Sequence, residues 1–151
     1  MEIRPGGLDH PAVVALLREH LEGMHALSPP DSVHALGLRA LHGPDISFWS
    51  AWRAQALLGC AALRELDAEH GEVKSMRTLD AHRRTGVASR LLDHLLDEAR
   101  RRGYRRLSLE TGAGAAFAPA HRLYERAGFV ACAPFGAYAD DPHSVFLALA
   151  L

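Results

Sequence analysis

The stretch from Gly71 to Gly103 constrains the fold most, because it calls for a strand, a turn and a helix in that order. Glu72 to Thr78 lacks Pro and Gly and can run extended. Arg83-Arg-Thr-Gly86-Val-Ala88 follows, rich in hydrogen-bond donors and small at Gly86 and Ala88. From there Val87, Leu91, Leu92, Leu95, Leu96 and Ala99 recur at helical spacing and predict one apolar stripe. Arg100, Arg101 and Arg102 fall where the negative end of the helix dipole favours cations, and Gly103 stands where a left-handed cap ends a helix. The first N–H groups of a helix have no internal partner, so such a turn can hold a phosphate. It can equally be a plain helix start with two solvated arginines, and the turn alone does not separate these readings.

The rest of the chain frames this unit. Met1 to Arg4 predicts a first strand, and Asp9 can cap a helix running to about Met24, with Pro11 in its first turn. Ser32 to Leu41 predicts a second, short helix. Ile46 to Arg53 and Ala56 to Leu66 predict a hairpin. Arg105 to Thr111 alternates as a strand, Phe117 to Ala127 predicts a later helix, and Phe129 to Ala133 and Ser144 to Leu151 predict the last strands. Hairpins around a strand–helix–strand unit give a mixed α/β class. The 151 residues suffice for one domain, residues 1–151, with a real core.

Composition excludes several function classes. A net charge of −1 gives no overall field toward nucleic acid or a membrane, and the run Arg100 to Arg106 reads as a solvated helix end. With no secretory segment and no apolar run of spanning length, a cytoplasmic protein is expected. Ten histidines scatter without metal-ligand spacing, so no metal is expected. Cys60 and Cys132 lie in apolar stretches and read as free, inert thiols. The near-continuous apolarity of Val145 to Leu151 predicts burial on both faces, either within one chain or across a homodimer.

Arg83-x-x-Gly86-x-Ala88, after a strand and before an amphipathic helix, resembles the acetyl-CoA signature of the GCN5-related N-acetyltransferases (GNAT). Downstream, Ala120-His-Arg-Leu123-Tyr124-Glu-Arg-Ala-Gly128-Phe129 is similar to the same family's later helix and its exit into a strand. The resemblance implies a twisted mixed sheet of about seven strands flanked by about four helices. It implies that the strands at Glu72 to Thr78 and Leu107 to Thr111 splay apart to admit the pantetheine arm of acetyl-CoA. It further implies that Arg83, Arg84, Thr85, Gly86, Val87, Ala88 and Ser89 grip the pyrophosphate, and that the backbone of Met76, Arg77 and Thr78 holds the acetyl-pantetheine arm. One departure is Phe117, where many family members carry Asn.

The implied reaction is direct transfer of an acetyl group from acetyl-CoA to a primary amine of a small molecule or peptide. It needs a neutral amine, a donor for the oxyanion and a proton for the thiolate. Glu72 is the expected base, placed as in GCN5-type enzymes; its alternative is a structural pair with Lys74 or an arginine. Glu110 is the rival base. Tyr124 is the expected acid, its alternative a core aromatic. On the acceptor side His34, Trp49 and Tyr138 are expected to line the mouth, with Asp140 or Asp141 drawing a cationic amine. The alternative function is a non-catalytic acyl-CoA-binding or regulatory module.

Overall fold

The computed structural model describes residues 1–151. Seven strands form one sheet: β1 (Glu2–Pro5), β2 (Ile46–Arg53), β3 (Ala56–Asp67), β4 (His70–Thr78), β5 (Arg106–Gly112), β6 (Val130–Ala131) and β7 (Ser144–Ala150), in the order β1-β2-β3-β4-β5-β7-β6. Four helices cover it: α1 (Pro11–Leu27), α2 (Leu38–Leu41), α3 (Val87–Arg101) and α4 (Ala118–Arg126). This is the mixed α/β class expected. No helix is long and apolar enough to cross a membrane.

The helical stripe forms as its spacing predicts. Val87, Leu91, Leu92, Leu95, Leu96 and Ala99 are all buried on α3. Each leucine withdrawn from water stabilises the fold by roughly 1.5–3 kcal/mol relative to leaving it exposed. Gly103 ends the helix at φ +80°, and Tyr104 N–H reaches back to Ala99 O. Together with β-strand side chains and Tyr124 and Phe129 from the later segment, α3 builds the larger core. The smaller core lies on the opposite face, where Val13, Leu16 and Leu17 of α1 pack with Leu41, Phe48 and Trp52.

Three local expectations differ. The start of α1 is capped by His10, whose Nδ1 accepts from Ala12 N–H, and not by Asp9. The segment Ser32 to Leu41 is helical only at Leu38–Leu41, because a short turn over Pro30–Ser32 ends at Val33 and the backbone is extended at both Val33 and Gly37. The strand expected at Phe129 to Ala133 shortens to Val130–Ala131, both exposed at the sheet edge.

The sheet is two antiparallel halves joined by one parallel pair. β4 and β5 pair only through His70–Arg106, Gly71–Leu107 and Glu72–Ser108. Beyond these positions residues 73–78 and 109–112 diverge. On its other edge β4 carries a bulge: Cys60 faces Arg77 and Ala62 faces Lys74, so Ser75 and Met76 share the single partner Ala61. Ser75 adopts φ +52° there. The bulge and the divergence open a wedge at the centre of the sheet.

Candidate active site

A cavity of about 840 Å³ fills this wedge. Val73 to Thr78 form one wall and Leu109 to Gly112 the other, with the start of α3 at one end and α4 along one side. The end of α1 and the segment Ser32 to Ala35 close the opposite end. Backbone groups of β4 and β5 that face the wedge have no strand partner, so they are free to bind what enters it.

The turn before α3 is shaped for an anion. Arg84 and Gly86 take positive φ, +62° and +85°. A Cβ on Gly86 would meet no atom within 4 Å, so the turn faces open space. Arg83, Arg84, Gly86, Val87, Ala88 and Ser89 line the cavity, while Thr85 turns away and its hydroxyl donates to His82 O. From α4, Arg122 and Arg126 add two cations that the motif reading missed; their four-residue spacing on one helix was the available signal. Five guanidinium groups line the cavity, counting Arg77, Arg83, Arg84, Arg122 and Arg126, against one carboxylate, Glu110.

Tyr124 lines the cavity although its side chain is almost wholly buried. Burial pushes its phenol well above the ordinary value and keeps it protonated. Phe117 also lines the cavity, and its ring packs directly on Gly112, where an added Cβ would overlap the ring. An aromatic ring fits at this position because the facing residue has no side chain.

The two carboxylates have different surroundings. Glu72 is 1% exposed and is not part of the cavity wall. Its Oε2 accepts from Lys74 Nζ at 3.3 Å and from the Tyr138 hydroxyl at 2.5 Å. Its carboxylate is thus paired with Lys74 and Tyr138. Glu110 lines the cavity, and burial raises its carboxyl above the ordinary value, opposed by a hydrogen bond from the Ser144 hydroxyl at 2.6 Å.

The expected acceptor residues divide. His34 lines the cavity, and its ring meets Tyr138 edge-on at 5.0 Å. Tyr138 does not reach the cavity: Lys74 Nζ donates to its hydroxyl at 2.8 Å and to His34 O at 3.1 Å. Tyr138 thus holds two loops together behind the wall. Trp49 lies away from the site, against His94 at 5.1 Å and Arg102 at 5.8 Å. Strand alternation explains the displacement, since Phe48 goes to the α1 side and Trp49 to the α3 side. Asp140 is exposed and outside the cavity, and Asp141 accepts from the Ser32 hydroxyl at 2.5 Å.

Comparison with known proteins points the same way as the geometry. The family described as "Acetyltransferase (GNAT) family" matches residues 12–129. An N-acetyltransferase of Bacillus subtilis, YsnE, described as uncharacterized, is 55% identical over 147 residues, 97% of each chain. The IAA acetyltransferase of Azospirillum brasilense is 39% identical over 137 residues, 90% of this chain and 88% of that one. A GNAT family acetyltransferase from Elizabethkingia anophelis, solved with acetyl-CoA bound, superposes with a TM-score of 0.69 at 17% identity, covering 99% of this chain and 97% of its own.

Proposed function

Because the chain belongs to the acetyltransferase (GNAT) family, we propose that it transfers the acetyl group of acetyl-CoA directly to a primary amine. The wedge between β4 and β5 carries this reading. It offers unpaired backbone groups along its length, a helix start and arginines at one end, and the carboxyl of Glu110 and the phenol of Tyr124 on its walls.

In this reading the N–H groups of Val87, Ala88 and Ser89 and the charges of Arg83 and Arg84 hold the pyrophosphate. The backbone of Met76, Arg77 and Thr78 pairs with the pantetheine amides. An unpaired N–H at the end of β4 donates to the developing oxyanion.

Glu110 takes the proton from the attacking amine, directly or through one water. A carboxyl raised toward neutrality is matched to that task, and Glu110 alone of the two candidates faces the cavity. Nitrogen attacks the thioester carbon, the C–S bond breaks, and the Tyr124 hydroxyl gives its proton to the thiolate. A covalent cysteine route has little support: Cys60 is fully buried and its thiol is pushed up to about 12.

Thermal-shift titration with acetyl-CoA, CoA and ATP tests the donor half. A ligand at a hundred times its Kd adds about 2.7 kcal/mol to the folded state, so both CoA species should raise Tm and ATP should not. Release of free CoA over an amine panel tests the transfer. Binding without release from any amine would leave the non-catalytic acyl-CoA-binding module as the better reading.

A further inference from the structure

Where β4 meets α1, the cavity lining leaves polar capacity unused. The Arg77 side chain is 17% exposed, and its Nη2 stands 3.5 Å from Glu19 Oε1 and 3.7 Å from Asp80 Oδ1, loose contacts to two exposed side chains. Its Nε is buried without a partner. Ser75 Oγ, two residues away in the β4 bulge, and His20 Nδ1 on α1 are likewise buried and unpartnered. All three residues line the cavity. A guanidinium carries five donors, so most of Arg77's are free to bind a ligand. Unpaired buried polar atoms are rare and destabilising, and three lining one cavity from β4 and α1 mark a place where a ligand completes the hydrogen bonding.

The surroundings define that ligand. Met24, Leu27 and Val33 give the same end an apolar side. Glu110 is the only carboxylate on the cavity wall. A polyamine whose first nitrogen sits beside Glu110 finds no second anion for its remaining charges. A carboxylate, in contrast, meets a guanidinium, a hydroxyl and an imidazole.

We propose that Arg77, Ser75 and His20 seat the carboxylate of the acceptor, and that the acceptor is an amino acid with an apolar side chain. The proposal rests on the transferase reading above. It assigns the side chain of Arg77 to the acceptor while its backbone remains with the donor. The amine then points to Glu110, and the apolar side chain lies on Met24, Leu27 and Val33.

The test compares L-leucine, L-methionine and L-phenylalanine with their carboxamides and with spermidine, following CoA release from acetyl-CoA. At least one of the three acids should exceed its amide by about tenfold or more in kcat/KM, since a site built to bind a group discriminates against its absence. Arg77→Gln should raise the acceptor KM by about tenfold or more while kcat changes less than about threefold and the acetyl-CoA KM holds; Arg77→Lys should recover part of the loss. Calorimetry of N-acetyl-L-leucine, N-acetyl-L-methionine and N-acetyl-L-phenylalanine on the CoA complex provides a readout apart from turnover. Binding that depends on Arg77 without CoA release from any amine supports the seat and overturns the transferase reading. Turnover in which amides or spermidine match the acids, or an unchanged KM in Arg77→Gln, overturns the seat and leaves the transferase reading standing.

Discussion

Glu110 and Tyr124 divide the proton traffic in the proposed reaction, and each gives a distinct prediction. Tyr124→Phe should lower kcat by about a hundredfold, the low end for a positioned acid, and leave CoA affinity unchanged. Glu110→Gln should lower kcat comparably while raising Tm at neutral pH. The carboxyl of Glu110 lies above its ordinary 4.5, so the folded state keeps that proton to higher pH than the unfolded chain. Its contribution to stability is full below about 4.5 and is lost as pH rises through the folded value. The gain from Gln should therefore vanish in melts below about pH 4.5. His20 has the opposite sense. Burial and the charge of Arg77 push it from 6.5 down to about 4, so the unfolded chain takes up its proton first. Stability present above pH 6.5 falls by about 3 kcal/mol on approach to pH 4, and His20→Leu should flatten that part of the Tm profile.

At the scale of elements, the sequence carried most of the proposed donor half and little of the proposed acceptor half. The turn and helix from Arg83 to Gly103 were legible because spacing, dipole and caps act within one short segment. The β4 bulge and the pairing of Glu72 with Lys74 depend on neighbouring strands and a distant loop. The sequence offers Glu72 as a base or as a partner of Lys74, and the contacts to Lys74 and to Tyr138, 66 residues away, appear only in the fold. His20, Met24 and Leu27 share a helical face at four- and three-residue spacing, a signal present in the sequence but indistinguishable there from core packing. Two glycines separate shape from conformation. Gly112→Ala drives a methyl into the Phe117 ring at the start of α4, and should cost about 1–3 kcal/mol and weaken CoA binding with it. Gly86→Ala meets no atom, so its cost of roughly 1–2 kcal/mol comes from the left-handed backbone alone; denaturant melts should show this.

For the whole molecule, the buried Glu72–Lys74 pair ties three distant parts of the chain together. Lys74 holds the carbonyl of His34 and the hydroxyl of Tyr138, and Ser32 holds Asp141 between the same two loops. Removing one charge strands the other, so Lys74→Met should lose about 3–5 kcal/mol in denaturant unfolding. The double change Glu72→Leu with Lys74→Met should lose less, because no buried charge is left unpaired. If the single change proved harmless, the two loops would have to be held by other contacts.

An ordinary open sheet has two rims, where backbone hydrogen bonding stops. This one has four, because β4 and β5 part after Glu72 and Ser108 and face each other as inner rims. Recognition along an inner rim is written in peptide groups and so is indifferent to which side chains the strands carry. Those side chains are thereby released for other work. In the proposed reaction, substitution along β4 would re-tune what arrives from the α1 side while the opposite partner is held as before. On that proposal one half-sheet serves as a fixed jaw and a variable one at once, so a single scaffold would change its acceptor without rebuilding its grip on the donor.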